Sequence, residues 1–263
     1  MRRETFDTPG PLELNIRVPT GGIYLETVEG SETNVEISAS PEIEDEARIE
    51  LHPRRDGHEV TVVIEKKSGL FRSFRDDVRV RISSPPGADV DLSTASADVE
   101  AHGDFGSAKV NTASGDIQFE HIAGDGQVNS ASGDVELDRV DGALNVNTAS
   151  GDVEVRRIGG DAKVRAASGD IQVHEADSSL KVQTASGDVE AASVREGEVT
   201  LQTASGDIEV GIKQGSKLFI DAKSMSGETS SELELGDAPT EGDGPRVEVR
   251  ATAMSGDIKV KRA

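Results

Sequence analysis

Residues 146–155 read Val-Asn-Thr-Ala-Ser-Gly-Asp-Val-Glu-Val, and this phrase returns along the chain at a fixed interval. Its Ser-Gly-Asp centre begins at Ser114, Ser132, Ser150, Ser168 and Ser186, each 18 residues after the last, and then at Ser205 after 19. A degenerate copy, Ser96-Ala97-Asp98, stands one interval earlier. Two later copies, Ser226-Gly227-Glu228 and Ser255-Gly256-Asp257, follow at spacings of 21 and 29. So short and strict a period marks one supersecondary unit stacked on itself.

Aligned on the 18-residue step, the sequence sorts into columns. Before the turn, Val110, Val128, Val146, Val164, Val182 and Leu201 share one column, and Thr112, Ser130, Thr148, Ala166, Thr184 and Thr203 lie two residues on. After it come Ile117, Val135, Val153, Ile171, Val189 and Ile208, then Phe119, Leu137, Val155, Val173, Ala191 and Val210. Period two on both sides of a tight Ser-Gly turn predicts two short strands per coil, each with one face inward. A further apolar column, Ile122, Val140, Ile158, Ala176 and Val194, is either a corner or a short third strand. β-Branched residues and a glycine in every repeat exclude helices, and equal repeat lengths favour parallel stacking in register, about 4.8 Å per coil. The fold class is therefore all-β: a parallel β-solenoid with coils of about 18 residues, right-handed by the general preference of parallel crossovers.

The flanks are less regular. Leu12, Leu14, Ile16 and Val18 alternate, and Ile23 and Leu25 follow the Pro19-Thr20-Gly21-Gly22 turn, so residues 4–40 read as the first, worn coils. Ile49 and Leu51, the turn signal Arg54-Arg55-Asp56-Gly57, and Val60, Val62 and Ile64 predict a hairpin insertion. Beyond residue 210 the register loosens, and Lys261-Arg262 would place positive charge on the final exposed edge. The organisation expected is a single solenoid domain over 1–263. It comprises irregular N-terminal coils with the hairpin over 1–88, regular coils over 89–212 and irregular coils over 213–263.

Composition bounds the function. Fifty acidic residues against 28 basic ones give a net charge of -22, which repels nucleic acid and anionic lipid over most of the surface. With no cysteine, disulfides and thiolate metal sites are excluded. No apolar run suits a signal peptide or a membrane span, which points to a cytoplasmic, soluble chain. One stretch breaks the acidic grain: Lys66, Lys67, Phe71, Arg72, Phe74 and Arg75 form a basic, aromatic-bearing connection. It reads either as a docking loop for an anionic partner or membrane surface, or as a loop whose Phe71 and Phe74 cover the open end of the solenoid.

Chemistry, if any, has to come from the repeated columns. Asp116, Asp134, Asp152, Asp170, Asp188 and Asp207 should point outward as a ladder, with Glu136, Glu154, Glu190 and Glu209 beside them as an acidic face. On the other strand, Lys163 and Lys181 with Asn111, Asn129, Asn147, Arg165 and Gln183 make a polar to basic face. Unit charges at that spacing repel by about 1 kcal/mol in water. Either each Asp accepts backbone N–H groups at its turn, so that the motif builds the corner, or Ca²⁺ sits between neighbouring coils. The five histidines are scattered and the Ser ladder has no paired base, so the residues do not support an enzyme, and no cofactor is expected.

The Thr-Ala-Ser-Gly-Asp-[Val/Ile]-[Glu/Gln] repeat, the Pro86-Gly87 entry and the closing Met254-Ser255-Gly256-Asp257-Ile258-Lys259-Val260 coil resemble the bacterial putative-adhesin family, a domain of unknown function. The resemblance runs from about Leu12 to Val260 and implies a β-solenoid, with no agreed catalytic residues to carry over. By its label it also suggests the cell surface as the alternative location. Together these readings point to a non-enzymatic scaffold or binding module that presents repetitive faces to an extended ligand. The candidates are a glycan, a cationic peptide, another protein or a second copy; the alternatives are a Ca²⁺-dependent solenoid or a carbohydrate-active β-helix enzyme.

Overall fold

A computed structural model describes residues 1–65, 78–232 and 245–263, arranged as two compact units, Met1–Gly133 and Asp134–Ala263. The basic connection carrying Lys66, Lys67, Phe71, Arg72, Phe74 and Arg75 lies outside the described residues.

In the second unit, residues 18 apart are hydrogen-bonded neighbours on parallel strands. Leu144–Thr148 pairs with Ala162–Ala166, which pairs with Leu180–Ser186, so that Val146, Val164 and Val182 stand in one row and Leu201 follows. After the turn, Val135–Val140, Val153–Ile158, Ile171–Ala176 and Val189–Val194 stack the same way. Every one of these row residues is almost fully buried. Each removes an apolar side chain from water, worth about 1.5–3 kcal/mol before the entropy of ordering is counted.

Two strands per coil suffice for the cross-section. Val135, Leu137 and Val140 are all buried, so the inward parity shifts within a single strand. Neighbouring strands keep their register through this point, Arg139 against Arg157 and Val140 against Ile158, while a shift of register lies between Ala191 and Val194. The stacked second strands therefore bend together, which brings the Ile158 column inward without a third strand.

The Ser-Gly-Asp corner explains its own residues. Gly169 and Gly187 have φ of 120° and 138°, a region that side chains other than hydrogen rarely occupy. Each also lies directly on the corner beneath it. A Cβ on Gly187 would stand 2.1 Å from the carbonyl oxygen of Gly169, and one on Gly169 would stand 2.2 Å from that of Gly151. The Thr that opens the motif turns its hydroxyl back into the corner: Thr148 donates to the Ser150 carbonyl at 2.9 Å and Thr184 to that of Ser186 at 3.2 Å. That bond satisfies a hydroxyl on a side chain that is otherwise buried.

The first unit departs from the expected order. Residues 4–40 are not the first coils. Leu12–Thr27 does make one coil, but it lies between Ala88–Thr112 on one side and the pair Gly57–Val63 and Arg79–Ser84 on the other. The outer pair is then covered by antiparallel strands: Arg48–Arg54 closes the expected hairpin against Gly57–Val63, Glu32–Ser38 runs against Arg79–Ser84, and Arg2–Asp7 runs against Glu32–Ser38. A reversed strand cannot propagate the parallel stack, so these segments end it while burying Val35, Ile37 and Ile49. Phe105 and Phe119, both fully buried, pack edge to face with centroids 5.8 Å apart in the core of this unit.

The second unit ends in an unexpected order too. The chain runs from Gly197–Ser205 and Ile208–Ile212 out to Lys217–Ser226 and Thr229–Ser231, then returns so that Arg246–Ser255 and Ile258–Arg262 insert between them. Lys261 therefore does not guard a final edge; it is paired with Glu209 on the neighbouring coil. The inward residues account for the order. Val247, Val249, Ala251, Ala253, Ile258 and Val260 are apolar throughout and fully buried, as a coil covered on both sides requires. The outer coil presents Ser224, Thr229 and Ser231 at matching positions, and these tolerate water.

Stacking of corner on corner makes a testable difference between glycines. Gly187→Ala should lower the unfolding free energy by about 3 kcal/mol. Gly215→Ala, at φ 88° but with nothing within 4 Å of the added carbon, should cost only about 1 kcal/mol. Urea unfolding of both variants, with the midpoint read at constant m, measures the difference.

Candidate binding faces

The Asp that follows each corner glycine is exposed, as its position opposite the buried Val or Ile requires. Its carboxylate reaches along the stack rather than back into its own turn. Asp134 Oδ1 accepts the backbone N–H of Asp152, Asp152 that of Asp170, and Asp170 that of Asp188, each at 2.8 Å. Asp188 accepts from Asp207 and Asp207 from Asp257, both at 2.7 Å, and Asp257 from Glu228 at 2.8 Å. In the first unit Asp98 accepts from Asp116 at 3.1 Å. A corner N–H with no strand partner is thus satisfied by the charge one coil away, a charge-assisted bond of about 1.5–3 kcal/mol against a repulsion of about 1. Among the described residues, no group of three or more His, Asp or Glu is arranged to hold a metal ion.

The outward face of the second strands in the second unit is mixed in charge rather than a plain acidic sheet. Arg156 lies 3.2 Å from Asp138, 3.5 Å from Glu136 and 4.0 Å from Glu154, while His174 Nε2 is 3.0 Å from Glu154. Arg157 bridges to Asp177 at 2.8 Å and approaches Glu175 at 3.8 Å. Hydrogen bonding to Asp177 raises the Arg157 pKa further, so this guanidinium stays charged at any working pH. A shallow depression of about 560 Å³ opens between Glu154, Arg156, Arg157, His174 and Glu175. Column counting found the carboxylates here but missed the arginines, because Arg156 stands where neighbouring coils carry Asp138 and His174, and the Arg157 column holds Arg139 one coil before it but Glu175 and Ser193 after it.

Over residues 144–183 of the same unit the first-strand face is uncharged to basic and ordered by side-chain amides, whereas Glu198 and Glu248 bring carboxylates to it further along. Asn147 donates to Asn145 at 3.3 Å, Arg165 to Gln183 at 3.4 Å, and Gln183 to Gln202 at 2.7 Å. Lys163 and Lys181 stand side by side in the next column. In the first unit, Asn129 donates to Asn111 at 3.0 Å in the same manner. Arg165 and Gln183 thus each give a donor to the next coil, while Asn147 gives one to Asn145 on its own strand.

The sequence matches the Toastrack DUF4097 family over residues 13–196 and again over 162–261. The chain belongs to that family. Toastrack chains are a domain of unknown function, and in this chain the stacked corners account for the 18-residue repeat. Among solved structures, the chain is similar to a putative adhesin from Bacteroides fragilis NCTC 9343, at 14% identity and a TM-score of 0.52, covering 100% of this chain and 96% of that one. It is also similar to a putative lipid binding protein from Parabacteroides distasonis ATCC 8503, at 10% identity and a TM-score of 0.48, over 98% of this chain and 96% of that one. A putative cell adhesion protein from Clostridium sporogenes ATCC 15579 aligns at 14% identity and a TM-score of 0.32, over 100% and 99%. At these identities the likeness is one of fold. No curated protein matches. Among the described residues no helix is long and apolar enough to cross a membrane.

Two measurements test the corner carboxylates. Asp170→Ala, which strips the acceptor from the Asp188 N–H, should destabilise by about 1–2 kcal/mol, and Asp170→Asn, which keeps an acceptor, by less than half of that. Adding a chelator in excess should leave the thermal midpoint of the wild-type protein unchanged; a fall of several degrees would mean that a cation binds the ladder.

Proposed function

We propose that this Toastrack protein is a non-enzymatic binding module of adhesin type, and that the amide-lined first-strand face of its second unit receives an extended polar chain, a glycan. The observation that carries the reading is the row Asn147, Arg165, Gln183 and Gln202, held in register on parallel strands. Rungs spaced by about 4.8 Å each present an N–H donor, and Asn147, Gln183 and Gln202 an acceptor as well, so a ligand whose own hydroxyls recur can engage several at once and gain by multivalency. Arg165, Gln183 and Gln202 are braced by one another, which lowers the entropy lost on binding. Lys163, Lys181 and Arg165 disfavour a cationic peptide on this face. The adhesin names of the structural neighbours agree with a binding role. Among the described residues, this face offers neither a deep cleft nor converging carboxylates for hydrolysis.

Immobilised neutral and acidic oligosaccharides tested against the full chain should retain it, with no shortening of the sugar over the incubation. Gln183→Ala and Gln202→Ala should each weaken retention about 3- to 10-fold, the worth of one or two hydrogen bonds. If no oligosaccharide binds, or if the double variant binds as the wild type does, the reading fails.

A further inference from the structure

Among the described residues, the strand Lys217–Ser226 pairs along one edge only, with Arg246–Ser255. It is the outermost strand of its unit, and it is unusually apolar for such a place: Phe219 is 56% exposed, Ile220 40% and Met225 81%. An outer strand normally carries charges of one sign, a proline or a bulge that discourages addition of another strand. This one has no proline, and its outward positions read Lys217, Phe219, Asp221, Lys223, Met225, with charges of both signs.

We propose that this edge docks onto the same edge of a second copy, strand against strand and antiparallel, about a two-fold axis at Ala222. The register follows from charge. On an antiparallel pair, directly opposed residues share a face, so only registers that set odd-numbered residues against odd-numbered ones keep both outward faces outward. With the axis at Ala222, Asp221 faces Lys223 of the partner subunit twice over, and Phe219 faces Met225 of the partner subunit twice over. Shifting the axis to Asp221 sets two carboxylates against each other, and shifting it to Lys223 opposes two ammonium groups, both unfavourable across a strand pair. Asp221 and Lys223 already meet within one chain at 2.9 Å, so their charged ends lie on the surface where the second copy would arrive. The pairing also covers Ile220, which no further coil shields among the described residues.

Sedimentation velocity of the full chain from about 1 μM to about 1 mM should show a reversible monomer–dimer equilibrium. Asp221→Lys and Lys223→Asp should each weaken the dimer about 10-fold or more, since both symmetry-related pairs turn repulsive. The double swap D221K/K223D should restore it to within about 3-fold. Because the chain has no cysteine, mixing a Phe219→Cys protein with a Met225→Cys protein under mild oxidation should give a mixed disulfide dimer, while neither protein alone should cross-link. A monomer at every concentration, single swaps that associate like the wild type, a double swap that does not recover, or the wrong cysteine pairing would each overturn the proposal. Circular dichroism melting of the swapped proteins, whose altered side chains are exposed, verifies that they remain folded.

Discussion

The stack depends on one contact, the seating of each Ser-Gly-Asp corner on the corner before it. Three features meet there. The glycine permits a positive φ and a backbone approach that no Cβ would allow, the Thr hydroxyl closes the corner from inside, and the Asp carboxylate accepts the next corner's N–H. Loosening any of them would let neighbouring coils slip. A one-residue slip in a strand with period two turns its whole buried face toward water.

The same contact explains how a chain with a net charge of -22 can hold its carboxylates in a row. A carboxylate that accepts a backbone N–H has exchanged water for a fixed dipole aimed at it, and that exchange exceeds the screened repulsion from its neighbour. On the second-strand face, arginines placed among the acids do the equivalent work. Arg156 touches three carboxylates on two coils, and Arg157 reaches Asp177 across a coil step. Repetition therefore supplies the structure with rungs, and the departures from repetition give one face a character distinct from the other.

How much of this was legible depends on the range of the interaction. The inward columns, the corner glycine and the hairpin at Arg54-Arg55-Asp56-Gly57 follow from local pattern and were readable residue by residue. The Asp column was readable as outward and bonded to backbone, but its partner was not, because the accepting oxygen reaches a residue 18 positions away whose N–H could equally have been met inside the turn. The bend that brings the Ile158 column inward was also invisible: a bend within one strand and a corner between two leave the same apolar spacing in the sequence.

Sequence alone determined that this protein is built of short strands stacked at a constant repeat, since period two between recurrent glycines admits no other regular element. Tertiary structure decided the order of the stack at its ends. Residues 12–27 lie between later segments, and residues 246–262 slip inside residues 217–231. Every coil offers the same backbone edges, so local pattern cannot say which will neighbour which. What settles it is how many sides of a coil can be deprived of water: the one with apolar residues at all its inward positions goes inside, and the one carrying Ser224, Thr229 and Ser231 is left at the surface.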